Sequence, residues 1–589
     1  MHLHPSFSIS INGRSDGFFK SKRGLRQGDP LSPYLFVLAM EVFSKLMNSR
    51  FDSGYISYHP KTEDLKISHL MFADDVMIFF DGSSSSLHGI YEVLDDFAGW
   101  SGLQLKREKT LLFHAGLSPN ETREISAYGF PEGALPVRYL GLPLMSRKLK
   151  ISEYSPLLDK IKKKFSAWAV KTLSFAGRAQ LISSVIYGTI NFWISTFSLP
   201  KACLRSLESL YSRFLWSGNI ENHSKAKVAW SSVCLPKSEG GLGFRRLSVL
   251  NNTLCLRLIW LLFSGSGSLW VAWHKHHQKL SQASFWSIKA KNSDSWLWKN
   301  LLKLRHLAIQ FIKVEPGNGK ASWFWHDNWT PLGSLIDLFG DNGPRNLRIP
   351  ISAKVADACN EFGWVMAPPR SDNAEALQIF LSSSTLPTSS SEEDKFVWEI
   401  DGNSGNGFSS SKTWNKLRPR DTEKSWASLI WFKGCTPKHA FTMWVTNLDR
   451  LPTMSRLASW GVQVATTCSL CSGFDETRDH LFINCAYTQV LWDKILLRIR
   501  MQMQTRFRDW SHLLEWTKEQ NCTSPSTLRL IILHTLVYSV WRQRNNLIHN
   551  HIVIPPLSIF RDIDRQIINT ITAKRHLKNF KPLMALWLH

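Results

Sequence analysis

Two stretches of this chain combine residue types that bind metal ions. In His69–Phe80, HLMFADDVMIFF, the adjacent carboxylates Asp74 and Asp75 interrupt a run of strand-forming and apolar side chains. Two unpaired charges inside an apolar core are costly, so the chain must bend there, bring counter-charge to the pair, or both. A β-hairpin with the acids at its tip meets both conditions. Leu70, Phe72, Val76, Ile78 and Phe80 would form its buried arms. Such a pair suits Mg²⁺, which takes oxygen ligands and keeps positions open for substrate phosphates. Asp is also common in ordinary surface turns, so the pair alone fits a plain turn between core strands equally well. The second stretch holds Cys468, Cys471, His480 and Cys485 in the spacing C-x2-C-x8-H-x4-C. A Cys₃His set suits a closed structural Zn²⁺ site with no position left for catalysis. The competing explanation is four reduced residues at chance spacing.

The neighbouring elements must position these groups. Phe7–Phe19 alternates as a strand and then turns, with Asn12-Gly13 and Asp16-Gly17 as turn signals. Arg23–Phe36 (RGLRQGDPLSPYLF) is a glycine loop opening a helix, where backbone can lie close to a nucleotide and Arg23 and Arg26 supply charge. Ser32 is the expected N-cap and Pro33 the first helical residue. Leu35, Leu38, Ala39, Val42, Phe43 and Leu46 follow at helical spacing and are expected in a core. Ser83–Ser86 caps a helix with Leu87, Ile90, Leu94 and Phe97 inside. Pro156–Trp168 is an amphipathic helix whose Lys160, Lys162, Lys163 and Lys164 form a positive patch. Such a patch is ordinarily a solvated face, and otherwise a track for a nucleic-acid backbone. Gly317–Trp329 (GNGKASWFWHDNW) reads as a hairpin, its tryptophans more suited to a core than to stacking bases. Asp341–Pro350 and Ser382–Asp394 read as linkers, and Leu528–His589 reads as a helical tail with a basic end.

Four motifs in order carry a resemblance. RGLRQGDPLSPYLF, HLMFADDVMIFF, SGLQLKREKT (Ser101–Thr110) and RYLGLPL (Arg138–Leu144) resemble those of reverse transcriptases of LINE-type non-LTR retrotransposons, in the form common in plants. The resemblance implies an α+β multidomain chain. Residues 1–145 would be a partial polymerase palm, an antiparallel sheet backed by helices. Residues 146–270 would be a helical thumb and 271–395 a Trp-rich connecting region. A small zinc-binding domain at 396–495 and a basic helical tail at 496–589 would follow. It implies that Asp74 and Asp75 are the catalytic metal pair with Mg²⁺, and that Arg26, Gln27, Gly28 and Lys109 face the nucleotide and template. Tyr139, Leu140 and Gly141 would grip the primer end. It also implies an RNA template and a DNA primer or target as partners. Two-metal phosphoryl transfer needs carboxylates from two places to clamp ions roughly 4 Å apart. In the family one of them comes from an earlier strand. Only 25 residues precede Arg26, with Asp16 the sole acid among them. The chain is therefore expected to be inactive alone, completed by an upstream polypeptide or surviving as a nucleic-acid-binding remnant. From Phe396 to Trp492 the chain is similar to the zinc-binding domain that follows the polymerase in the same family.

Composition agrees with these expectations. The 589 residues carry 71 basic and 47 acidic side chains, a net +24 that favours a polyanionic partner, nucleic acid before membrane. Nine scattered cysteines do not read as a disulfide framework. No secretory signal is visible, and the uncharged stretch Leu181–Leu199 is too rich in Ser, Thr and Asn for a membrane span. A reducing intracellular setting, the nucleus by resemblance, is the expectation.

Overall fold

The computed structural model describes residues 6–20, 28–145, 147–168, 173–221, 226–387, 390–405, 407–501, 507–519 and 524–588. Helices are mixed with small antiparallel sheets. The chain forms two compact units, one of Met1–Leu149 with Gly265–Ser287 and one of Lys150–Ser264 with Ile288–His589.

In the first unit, β1 (Ser6–Ile11) and β2 (Arg14–Lys20) pair through the turn Asn12-Gly13, whose φ values of 50° and 82° suit those two residue types. Asp16-Gly17, expected as a second turn, instead lies within β2. Phe7 faces Phe19 but Ile9 faces Asp16, so the extra residue is absorbed as a bulge. Helix α1 (Ser32–Asp52) is capped from Leu31, not Ser32, and Asp29 Oδ1 accepts the Leu31 N–H at 2.8 Å. Its Phe43, Met47 and Phe51 form a core with Ile56 and with Ile90, Val93 and Phe97 of α2 (Ser84–Ser101). Leu35, Leu38 and Val42, expected in that core, are 42%, 64% and 45% exposed. The helical spacing is there, but neighbouring elements cover only the C-terminal half of the helix. Ser83 Oγ accepts the Ser86 N–H at 3.2 Å, and Gly102 at φ 73° ends α2.

The second unit opens with helices. Helix α3 (Pro119–Ser126) belongs to the first unit, and α4 (Ser155–Ala167) is the first α-helix of the second. Then α5 (Phe175–Leu181) runs through a π turn at Ile182–Ile186 into α6 (Tyr187–Thr196), followed by α7 (Lys201–Ser217). Ile182, Ile186, Ile190 and Trp193 are buried, as a core helix requires, and no described helix is long and apolar enough to cross a membrane.

Gly317–Trp329 is not a hairpin. It is a looped segment with one β-bridge, Trp323 to Lys354, and its Trp323, Phe324, Trp325 and Trp329 are all buried rather than alternating. The two expected linkers are also tied to that core. Leu347 and Ile349 are buried in it. Asp394 accepts five hydrogen bonds from Gly317, Gly319, Ala321 and Ser322, which pins the loop to the strand Lys395–Ile400. That strand is central in a three-stranded antiparallel sheet between Ile312–Glu315 and Asn403–Gly405. Helices Ser526–Asn550, Pro556–Ala573 and Leu583–Leu588 complete the unit.

Candidate functional site

The acid pair sits where a bend was expected. Strands β3 (His69–Phe72) and β4 (Asp75–Ile78) are joined by Ala73 and Asp74 alone, with Ala73 at φ 53°. Phe72 pairs with Asp75, so Asp74 is in the turn and Asp75 is the first residue of β4. Both side chains are exposed. At its base the hairpin is tied to α1 through His69, whose ring nitrogens lie 2.9 Å from Ser44 Oγ and 2.7 Å from Ser68 Oγ. Burial lowers the His69 pKa, which favours the neutral ring in these two bonds.

The register corrects the expected faces. His69, Met71, Val76 and Ile78 share one face, and Leu70, Phe72, Asp75 and Met77 the other. Met71, Ile78 and Phe80 pack on the α1–α2 core. Leu70 and Phe72 therefore do not join Val76 and Ile78 in one buried surface, and Phe72 is 62% exposed. A two-residue turn sets this pairing, and apolar character alone could not.

A second tight hairpin lies within electrostatic reach. β5 (Val137–Tyr139) and β6 (Leu142–Leu144) are joined by Leu140 and Gly141, at φ 51° and 79°. The Tyr139 hydroxyl pKa is raised first by burial and then by the charge of Asp75. Gly28 is exposed at φ 89°, while Arg26 and Gln27 lie outside the described residues. Lys109 is exposed on a single turn, Arg107–Lys109. No hydrogen bond or ion pair among the described residues links Gly28 or Lys109 to the acids. On α4, Lys160, Lys162 and Lys163 are exposed. Lys162 is 3.5 Å from Asp159, and the part-buried Lys164 donates to Thr189 Oγ1 at 2.8 Å.

The four sulfur and nitrogen donors converge. Cys468 Sγ lies 3.8 Å from Cys485 Sγ, and Cys471 Sγ 3.3 Å from His480 Nε2, with all four donor atoms within 4.8 Å of one another. A tetrahedral ion with ~2.3 Å metal–sulfur bonds separates its sulfurs by about 3.8 Å, so donor chemistry and spacing both fit Zn²⁺. The local fold explains the convergence. The Cys468 N–H donates to Phe474 O at 2.7 Å, closing the first loop around Ser472 at φ 56°. Thr477 Oγ1 accepts the His480 N–H, and the short turn His480–Asn484 returns Cys485 to the start of helix Ala486–Arg498. The hydrogen bond from Cys485 pushes the Cys468 thiol down, to about 5, and the same contact pushes Cys485 up.

The same loop holds a residue that spacing did not flag. Glu476 is fully buried and accepts from Arg544 Nη2 at 2.7 Å and Nε at 3.1 Å, and from the Met454 N–H at 2.9 Å. The signal was the acid between two ligand pairs and the WRQRNN run in the tail, neither readable as partners without a fold.

Comparison with known proteins now has a geometry to meet. Residues 2–144 match the family described as reverse transcriptase (RNA-dependent DNA polymerase). Residues 408–492 match the family described as zinc-binding in reverse transcriptase. The chain thus contains one region similar to reverse transcriptases and a second similar to the zinc-binding segment found with them. An Arabidopsis thaliana protein, described provisionally by its name as a ribonuclease H protein, is 27% identical over 375 residues, 61% of this chain and 58% of that one. An uncharacterized mitochondrial protein of the same plant is 47% identical over 66 residues, 11% of this chain and 54% of that one. An uncharacterized 149 kDa protein of the transposon TX1 from Xenopus laevis is 27% identical over 251 residues, 41% of this chain and 18% of that one. The chain thus spans less than two thirds of each of these relatives. The acid hairpin falls inside the reverse-transcriptase match and all four Cys/His donors inside the zinc-binding match. A reverse-transcriptase region implies contact with nucleic acid.

Proposed function

We propose that the chain is part of an RNA-directed DNA polymerase of the plant LINE type, with Asp74 and Asp75 as its contribution to the catalytic metal site. The observation that carries this reading is the two-residue turn that presents both carboxylates at an exposed tip, with Tyr139 under the influence of Asp75. The oxygen donors suit Mg²⁺, which when bound would neutralise phosphate charge and orient the phosphoryl group. Among the described residues no third Asp, Glu, His or Cys joins them in a ligand group. The chain's own residues would then bind and orient. Tyr139, Leu140 and Gly141 would hold the primer end, and Arg26, Gln27, Gly28 and Lys109 the nucleotide and template. Lys160, Lys162, Lys163 and Lys164 would follow the duplex backbone.

In this reading residues 1–145 are palm, 146–270 thumb, 271–395 connecting region, 396–495 zinc-binding domain and 496–589 tail. Zn²⁺ at Cys468, Cys471, His480 and Cys485 supplies structural closure, holding the loop that carries Glu476. RNA template, DNA primer or target, and a polypeptide completing the carboxylate set are the partners. The nucleus is the setting.

The two-carboxylate site supports a second reading, a nucleic-acid-binding remnant without polymerase activity. Primer extension by this chain, against an Asp74→Ala, Asp75→Ala control, separates them. Extension above the control defeats the remnant. Salt-sensitive binding without extension supports it, and neither binding nor extension removes both.

A further inference from the structure

A cavity of about 200 Å³ in the second unit is lined by Ser231, Ser232, Arg246, Trp414, Arg418 and Arg420. It brings together a stretch before the Trp-rich region and the start of the zinc-binding match, more than a hundred residues apart in sequence. Its donors outnumber the acceptors available to them. Arg246 Nε and Trp414 Nε1 are both buried without a hydrogen-bond partner. Arg420, at the exposed side, uses Nη2 on Asn415 O at 3.3 Å and has no further hydrogen bond among the described residues.

The acids nearby are already engaged. Glu239 takes both terminal nitrogens of Arg418, at 2.5 and 2.7 Å, and the Asp421 N–H at 3.0 Å. Asp421, which also lines the cavity, accepts from the Thr422 N–H at 2.7 Å and from Lys424 Nζ at 3.3 Å. Nor is the indole free for stacking a base. Arg245 lies 5.7 Å and Arg418 5.8 Å from the centroid of the Trp414 ring. What remains is a pocket rich in N–H and O–H donors, in which Arg246 and Arg420 feel the charges of Glu208 and Glu239 but make no direct ion pair among the described residues.

We propose that this cavity binds a phosphate group through Arg246 and Arg420, with Trp414 Nε1 and the Ser231 and Ser232 hydroxyls as further donors. Guanidinium groups match the oxygens of phosphate in charge and in fork geometry, and a cavity of this size holds more than a single water. The phosphate can belong to a nucleic-acid strand or be a free anion. Only the first source rests on the polymerase reading.

The test uses the full chain and the variant Arg246→Gln, Arg420→Gln, with thermal melting as the fold control. The probes are inorganic phosphate and a short single-stranded RNA carrying either a 5′-phosphate or a 5′-hydroxyl. The variant is expected to lose about tenfold or more in affinity for at least one probe, the scale of one charge-assisted contact. A loss confined to the phosphorylated RNA identifies a strand end, and an equal loss on both RNAs identifies the backbone. A loss for inorganic phosphate alone identifies a free anion, and leaves the site standing even where RNA binding, and with it the polymerase reading, fails. Should the double variant not fold, Arg420→Gln alone, at an exposed position, is measured in the same way. Unchanged affinity for all three probes in a folded variant overturns the proposal.

Discussion

Glu476 and Arg544 form a buried ion pair 68 residues apart, with their side chains 0% and 3% exposed and Nη2 to Oε1 at 2.7 Å. The acid sits between Cys471 and His480, and the guanidinium in the C-terminal third of helix Ser526–Asn550. The guanidinium Nη2 also donates to Pro452 O at 3.1 Å. One buried pair therefore ties the metal-binding loop to the C-terminal helices.

Removing one partner should cost far more than removing both. Arg544→Met leaves a carboxylate buried without its counter-ion and should destabilise the chain by about 3–5 kcal/mol. Denaturant midpoints measure this, and the zinc content of the purified variant should fall with them. Arg544→Met combined with Glu476→Gln should recover part of the loss. A double variant no more stable than the single one contradicts the ion-pair explanation.

Asp394 should give acid sensitivity to the Trp-rich core. Burial alone would raise its carboxyl, but the hydrogen bonds from Ser322, Gly317 and Gly319 outweigh that and hold it below its ordinary value. A depressed folded-state value stabilises the fold above the unfolded pKa of about 3.9, and that stability is lost as pH falls through the lower folded value. Asp394→Asn, which removes the charge from five donors, should cost about 1–3 kcal/mol at neutral pH. It should also flatten the acid limb of a stability-against-pH profile. An acid limb of unchanged steepness counts against this role.

The lysines of α4 should act additively and without sequence preference. Replacing Lys160, Lys162 and Lys163 by Gln should weaken RNA and DNA alike. The slope of log affinity against log salt should fall by about one per lysine that meets a phosphate. Lys164, held on Thr189, should contribute less. An unchanged slope returns the patch to a solvated helix face.

How much of this could be read without coordinates depended on the sequence range of each interaction. The acid hairpin and the Cys/His cluster were legible because their geometry is set within a few residues: a two-residue turn at Ala73-Asp74, and a tight loop between Cys468 and Cys471. Periodicity marked Leu35 and Leu38 as apolar helix positions but could not say where the covering elements stop. Polar composition made Asp341–Pro350 and Ser382–Asp394 resemble linkers. The hydrogen bonds that tie Asp394 to the Trp-rich loop come from residues more than 70 positions earlier. Glu476–Arg544 and Glu239–Arg418 were invisible for the same reason, since nothing local distinguishes a buried charge that has a partner from an exposed one.

Whether Asp74 and Asp75 hold a divalent ion can be read directly by Fe²⁺-directed backbone cleavage, with Fe²⁺ substituting for Mg²⁺ in the presence of ascorbate and peroxide. Cleavage is expected close to the Ala73-Asp74 turn and near Tyr139, suppressed by excess Mg²⁺ and lost in Asp74→Asn, Asp75→Asn. The absence of cleavage at the hairpin, or its persistence in that variant, contradicts the assignment of the acid pair as a metal site.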